Sequence, residues 1–392
     1  MTFSHEFYMQ RCLDLARNGL GAVAPNPMVG AVIVHDGAII GEGFHTGYGK
    51  PHAEVEAIKH VSNPLLLPES TLYVNLEPCN HQGKTPPCTD LILSHKIGKV
   101  VIGQADTNSI ASGGIHRLRE NGVEVITGIL ERKSRWLNHR FNTFHQQKRP
   151  WLILKWAQST DGFVDSLRDK PANKKPTWIT DETCRRLVHK WRSEEQAILV
   201  GSQTVLLDNP ELNVRAWIGN NPLRITIDRR SQLFERFQNP SQNNFHPVTL
   251  RLLNHAQPTL IYTGAFHPDE PNLQFVRLSP EIPVWPQVLA DLHARNIQSV
   301  LIEGGPTLFN TLIAGNLWDE ARVFIGPGWF GSGVKAPHFP FRAAEQSDFG
   351  NSKLFIFNRE EGEEREEREE REEREERKER EEREEREERK EE

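Results

Sequence analysis

The sequence predicts an α/β protein of two domains followed by a charged tail. Three observations carry this. Short apolar runs of strand length alternate with helical stretches, first over about residues 1–148 and again over 149–358. The chain has 392 residues, more than one ordinary core accommodates. Residues 359–392 hold 21 Glu, 12 Arg or Lys and one Gly, a composition with nothing to bury. That tail carries nine net negative charges, so against a total of −6 the body carries three net positive ones. A nearly neutral body argues against a broad nucleic-acid footprint, which needs a clustered basic face. It suits a small anionic substrate.

In the first domain, Phe7, Leu13, Ala16 and Leu20 fall at helical spacing, with Gly19 and Gly21 as stop signals. The N-terminus lacks a basic region followed by an apolar run and reads as this helix, not as a signal peptide. Val29 to Val34 and Ala38 to Gly43 predict two strands around the turn Asp36-Gly37. A helix is expected to open at His52 to Glu54. A buried strand at Thr71 to Leu76 then leads into Glu77, Pro78 and Cys79, and a second helix starts at Pro87 and Cys88, since Pro favours a first turn. Strands at Lys99 to Gly103 and Val123 to Ile126, with a helix over Ile115 to Glu120 between them, continue the alternation. Glu131 to Lys148 reads as one charged helix, and Arg149-Pro150 marks the domain boundary.

The second domain opens with a strand, Trp151 to Trp156, and a turn at Asp161-Gly162; the Lys- and Pro-rich stretch up to Pro176 reads as a loop. Thr180 is expected to cap a helix that places Leu187 and Trp191 on one face. Strands follow at Ala197 to Val200, Arg224 to Asp228, Thr259 to Thr263 and Ser299 to Ile302, with helices over Val288 to Arg295 and Leu308 to Ile313. Asn239 to Gln257 has few apolar anchors and reads as a surface loop. Glu303-Gly304-Gly305-Pro306, between a strand and a helix, is a place where backbone N–H groups hold phosphate, although Gly-Gly also simply turns a chain. A G-x-G-x-x-G fingerprint is absent.

The chemistry concentrates in two segments, His52-Ala53-Glu54 and Pro78 to Cys88 (PCNHQGKTPPC). One imidazole and two thiolates, His52, Cys79 and Cys88, form a three-ligand set for zinc that leaves a fourth position for water. The ordered pattern of His-x-Glu, then Pro-Cys and a further Cys, is the signature of zinc deaminases, in which Glu54 moves protons without binding the metal. Most nucleobase deaminases separate the two cysteines by two residues; here there are eight. With two of the four cysteines (12, 79, 88 and 184) assigned to metal, no disulfide framework remains, and a reducing, cytoplasmic location is expected. No apolar run reaches membrane-spanning length.

These motifs, together with PNPMVGAVIV, resemble the deaminase half of the bifunctional riboflavin-biosynthesis family that joins diaminohydroxyphosphoribosylaminopyrimidine deaminase to aminophosphoribosylaminouracil reductase. LKWAQSTDG, WITDETCRRLVHKWR, ILVGSQTVLLDNPELNVR and LIEGGPTLFN resemble its reductase half in order and spacing. The resemblance covers residues 1 to 358. It implies a cytidine-deaminase-like three-layer α/β/α domain and a dihydrofolate-reductase-like α/β domain, with Zn2+ and NADPH as cofactors. The family loop commonly has Ser after the first Cys and Arg or Lys before Thr-Pro-Pro-Cys; Asn80 departs and Lys84 fits. The resemblance further implies that Asn26, His45, Lys84, Asp106 and Asn108 hold the pyrimidine and its ribosyl phosphate. It places Ala157, Trp178, Thr204, Asp208 and Gly305 along NADPH, and Lys155, Arg192, Leu212, Arg215 and Glu303 at the ribosyl substrate. The expected substrate is a small phosphorylated pyrimidine, with no nucleic-acid or membrane partner, and a homo-oligomer is expected. Two alternatives stay open at this level: a cytidine or tRNA-adenosine type deaminase fused to an unrelated reductase, and a zinc-stabilised module without activity.

Overall fold

A computed structural model describes residues 3–82, 86–166, 178–233 and 250–359. Its first half is a sheet between two helical layers. Helix α1 (His5–Ala16) starts where the Ser4 side chain accepts the Phe7 amide. Strands β1 (Gly30–His35) and β2 (Ala38–Phe44) form a hairpin whose turn residues, Asp36 and Gly37, both have positive φ (48° and 78°), as a tight two-residue turn requires. Then come α2 (Ala53–Lys59), β3 (Thr71–Leu76), α3 (Cys88–Ser94), β4 (Lys99–Gln104), α4 (Gly114–Glu120) and β5 (Glu124–Thr127). The strand order is β2-β1-β3-β4-β5, with β3, β4 and β5 parallel.

Alternation along β1 divides its side chains between the layers. Ala31 and Ile33 join Ala53, Ala57 and Ile92 beneath α2 and α3, while Val32 and Val34 join Tyr8, Met9 and Cys12 of α1. Glycine lets α2 lie close: a Cβ on Gly43 would meet the Ala57 nitrogen at 2.6 Å, and one on Gly41 the Ala57 oxygen at 2.4 Å. This fixes the helix that presents Glu54. Phe7, expected on the buried face of the first helix, is 48% exposed and stacks on Phe3; Tyr8 and Met9 are buried instead. The stretch from Glu131 forms two helices, α5 (Glu131–Leu137) and α6 (His139–Gln147). They break at Asn138, whose side chain is drawn inward to hold both the N–H and the carbonyl of Met28.

The second half is a nine-stranded sheet. In chain order its elements are β6 (Trp151–Gln158), β7 (Phe163–Asp165), α7 (Glu182–Glu194), β8 (Ala197–Gly201), α8 (Ser202–Asp208), β9 (Leu223–Asp228), β10 (Thr259–Thr263), β11 (Leu273–Arg277), α9 (Val284–Ala294), β12 (Ser299–Ile302), α10 (Pro306–Ala314), β13 (Glu320–Ile325), β14 (Val334–Lys335), β15 (Glu345–Phe349) and β16 (Ser352–Asn358). The order β11-β10-β9-β8-β12-β6-β13-β16-β15 is parallel as far as β13, and β16 and β15 close one side antiparallel; β7 and β14 pair in a separate ribbon. Leu152, Leu154 and Trp156 pack with α9 and α10, whereas Trp151 and Ile153 face Cys184, Val188 and Trp191 of α7.

Three readings of this half change. Asp181, not Thr180, caps α7, because its carboxylate reaches the Cys184 amide at 2.9 Å. Strands β11, β13, β15 and β16 add to those expected, and α9 starts a turn earlier than Val288. The end of the expected surface loop is internal in part: Leu250, Leu252, Leu253 and Gln257 are buried while Arg251 and Asn254 to Ala256 stay exposed, and the Arg224 guanidinium, 1% exposed, donates to the carbonyls of Arg251 and Gln257 and to Asn254 and Thr259. Three leucines anchor the stretch in the core, and its backbone acceptors satisfy the buried guanidinium. The Lys- and Pro-rich stretch from 167 to 177 and the tail from 360 lie outside the described residues. No described helix is long and apolar enough to cross a membrane.

Candidate active sites

His52 is the N-cap of α2, Cys79 follows the end of β3, and Cys88 opens α3. Their donor atoms converge. His52 Nδ1 lies 3.3 Å from Cys88 Sγ and 3.5 Å from Cys79 Sγ, and all three lie within 4.8 Å of one another. Tetrahedral zinc, with bonds of about 2.0–2.3 Å, asks for donors roughly 3.5–3.8 Å apart. The set therefore fits zinc in both chemistry and spacing. The two thiols share a proton, the hydrogen bond between them lowering Cys79 and raising Cys88, and the Cys88 amide, 3.3 Å from Cys79 Sγ, adds to the stabilisation of the Cys79 thiolate. Glu54, second residue of α2 and only 3% exposed, stands beside the set, and burial pushes its carboxyl up. Among the described residues no fourth His, Cys, Asp or Glu joins the group, which is the open arrangement of a catalytic centre rather than a closed structural one.

The loops around this centre carry four of the five pyrimidine candidates; the fifth, Lys84, lies outside the described residues. His45 Nδ1 contacts the Pro51 carbonyl at 2.9 Å, so that nitrogen carries the hydrogen and Nε2, 3.0 Å away, accepts from the Asn26 side-chain amide. The His45 ring stands edge-on to His52 with centroids 5.5 Å apart. Asp106 and Asn108 form one turn, the Asp106 carboxylate accepting the Asn108 amide at 2.8 Å, and burial lifts the Asp106 pKa to about 6. The residue that organises this turn had no role in the sequence reading. Glu77, 6% exposed, accepts the amides of Asp106, Gly113 and Ile115 at 2.9–3.0 Å and ties the turn to the approach of Cys79. Asn80, the departure from the family loop, also has a structural account. Its Oδ1 accepts from Thr89, next to Cys88, at 3.2 Å and from Arg117 at 2.9 Å, joining both cysteine segments to α4.

The second site is a cavity of about 1710 Å³ over the carboxyl ends of β6, β8, β9 and β12, the place where parallel α/β sheets bind ligands. Lys155, Ala157, Trp178, Thr204, Asp208, Arg192, Arg215, Glu303 and Gly305 all line it. Leu212 does not: its side chain, 2% exposed, packs with Ile198, Val205 and Leu253. Any contact it makes with a ligand is therefore through its backbone. Arg192 grips Glu303 with two hydrogen bonds of 2.8 and 2.7 Å, and Lys155 Nζ lies 4.0 Å from the same carboxylate. Burial alone would raise Glu303, but Arg192 and then Lys155 bring it down to about 2. Arg192 is thus occupied by a carboxylate, while Arg215 is about half exposed, its guanidinium near Asn213 and Glu211.

His189 also lines this cavity and was not singled out by sequence, because a histidine in a helix gives no local signal. Its Nδ1 accepts the Arg215 amide at 3.3 Å, which requires a neutral ring. Burial, then Arg192 and Arg215, lower its pKa from 6.5 to about 4. Between those values the unfolded chain binds a proton that the folded chain refuses, so stability from this group rises with pH across the window. In His189→Gln, the dependence of unfolding free energy on pH between 4 and 6.5 is expected to lose about one proton; urea midpoints across the window measure it.

The family of the cytidine and deoxycytidylate deaminase zinc-binding region matches residues 3–104, and the RibD C-terminal domain matches residues 150–343. The riboflavin biosynthesis protein RibD of Aquifex aeolicus is 35% identical over 346 residues, 87% of this chain and 92% of that protein. RibD of Escherichia coli is 34% identical over 349 residues, 84% and 89% of the two chains. Among solved structures, the Thermotoga maritima diaminohydroxyphosphoribosylaminopyrimidine deaminase/5-amino-6-(5-phosphoribosylamino)uracil reductase superposes with a TM-score of 0.78 at 35% identity, covering 90% of this chain and 98% of that one. Acinetobacter baumannii RibD superposes with the same TM-score at 29% identity and the same coverage. With a zinc-type His/Cys/Cys centre in one half and a cofactor-sized cavity in the other, the chain belongs to the RibD family of bifunctional riboflavin-biosynthesis enzymes, which join a zinc-binding deaminase to an NADPH-using reductase.

Proposed function

We propose that residues 1–148 deaminate the diaminopyrimidinone ribosyl phosphate hydrolytically and that residues 149–358 then reduce the ribosyl chain of the product to ribityl. The observation that carries the first step is the buried carboxylate of Glu54 beside a three-donor metal set that it does not join. His52, Cys79 and Cys88 would hold zinc, which when bound acts as a Lewis acid and lowers the pKa of water at its open position. Glu54 takes the proton of the attacking water and delivers it to the amine nitrogen that leaves as ammonia. Asn26, His45, Asp106 and Asn108 hold the ring and ribosyl group, with Lys84 as the phosphate's point charge.

NADPH supplies hydride chemistry in the second site. Ala157, Trp178, Thr204, Asp208 and Gly305 orient the cofactor, and Gly305, with φ at 74°, is the N-cap of α10, a helix end whose dipole favours phosphate. Arg215 meets the substrate phosphate. Arg192 keeps Glu303 ionised and aimed at the ribosyl hydroxyls beside Lys155, and Leu212 contributes through its backbone. The same reading puts the enzyme in the cytoplasm, as its four free cysteines support, and as a homo-oligomer, which sedimentation would test.

The deciding experiment supplies the substrate with NADPH and follows ammonia release and NADPH loss separately. Asp208→Asn is expected to slow NADPH oxidation about 10- to 100-fold, by roughly 1.4 kcal/mol per factor of ten, and to leave ammonia release unchanged. Equal loss of both signals contradicts the two-site reading.

A further inference from the structure

The segment joining α1 to β1, residues 19–28, carries Asn26, and part of what holds it comes from the reductase half. Its far end is fixed locally: Asn138 and Asn75 side chains both bond the Met28 backbone. Its middle is not. Gln298, 3% exposed and just ahead of β12, donates its side-chain amide to the Pro25 carbonyl at 2.6 Å, across 273 residues of chain. Gln298 has little freedom of its own, since its N–H donates to Gln196 Oε1 at 2.7 Å and its carbonyl accepts the Trp151 amide at 2.8 Å. Nearby, Gly21 has φ at 78°, and a Cβ there would stand 2.6 Å from the Ser193 carbonyl at the end of α7. Arg140 of α6 bonds Glu195 twice, at 2.8 and 2.5 Å, and holds the two halves together beside this segment.

We propose that Gln298 is a positioning residue for deamination, acting from the reductase half on the pyrimidine site through Asn26; this rests on the reading of Asn26 and His45 as substrate-side residues. The Pro25 carbonyl and the Asn26 N–H belong to one planar peptide unit. Gln298 pins the oxygen, and the Val23 carbonyl takes the N–H at 2.9 Å, so the plane from which the Asn26 side chain projects is set at both ends. Asn26 then bonds His45 Nε2, and His45 Nδ1–H bonds the carbonyl of Pro51, the residue before the metal ligand His52. Gln298 stands at the amino end of β12, whereas Glu303 and the cofactor cavity lie beyond its carboxyl end. Its effect is therefore directed at the deaminase.

The test uses the full-length, zinc-loaded enzyme. Gln298→Leu is expected to raise the KM for ammonia release about three- to tenfold, the loss of one hydrogen bond. Its kcat and zinc content stay near the parent's, and NADPH oxidation on pre-deaminated substrate does not change. Amide hydrogen exchange over residues 19–28 is expected to quicken while that of β12 does not. Gly21→Ala, which alters no reductase side chain, is expected to give the same split and decides the matter if Gln298→Leu does not fold. Asn26→Ala is the reference: if it raises KM while Gln298→Leu and Gly21→Ala do not, the positioning role is wrong and the role of Asn26 stands. If Asn26→Ala leaves KM unchanged, both are wrong. Parallel loss of both activities with a lower melting temperature would also overturn the proposal.

Discussion

Glu54→Gln is expected to reduce ammonia release by about 10²–10⁴-fold while reduction of pre-deaminated substrate proceeds at the parent rate. The amide fills the same buried space at the start of α2, so the helix and the His52 cap are kept, but it neither accepts nor returns a proton at neutral pH. Metal analysis should show zinc retained, since Glu54 is not among the converging donors. Chelation of the metal should give the same division of activities by another route. None of the residues lining the reductase cavity belongs to this centre. A folded, zinc-loaded Glu54→Gln enzyme that had lost both activities would refute the separation of sites.

The second large effect is expected at Glu303, which faces Arg192 and Lys155 in a buried cluster. Glu303→Gln removes the only carboxylate within ion-pairing distance of these two cations among the described residues. Leaving buried charge uncompensated costs about 3–5 kcal/mol, so a calorimetric transition of the reductase half should move to lower temperature and NADPH oxidation should be lost. Ammonia release should persist. The dependence on pH has a definite sign. The folded pKa, about 2, lies below the ordinary 4.5, so the carboxylate's contribution is complete above the ordinary value and is lost as pH falls toward 2. The stability gap between parent and variant should therefore be widest above pH 4.5 and close progressively in acid. A gap that widened in acid, or unchanged melting, would show that the cluster does not hold Glu303 ionised.

The deaminase centre was legible because each of its parts is a local event. A histidine ahead of a helix, a cysteine after a buried strand and a second cysteine opening the next helix are each written in a few consecutive residues, and strand pairing then brings them together. The turn at Asp36-Gly37 and strands such as β3, β10 and β12 were readable for the same reason: period and turn chemistry are short-range properties. By resemblance, the reductase residues were named but not arranged, and the structure gathers all of them but Leu212 onto one cavity.

What the sequence determined by itself was the α/β class of each half and the candidates for metal donor and proton carrier, since these follow from residue type and short spacing. Tertiary structure alone decided that Phe7 faces outward, that Leu250, Leu252, Leu253 and Gln257 turn inward beside Arg224, that Arg192 is spent on Glu303, and that Gln298 reaches Pro25. The physical reason is shared. Whether a polar side chain is solvated, or buried and satisfied, depends on partners that can lie 27, 111 or 273 residues away, and no local pattern specifies them.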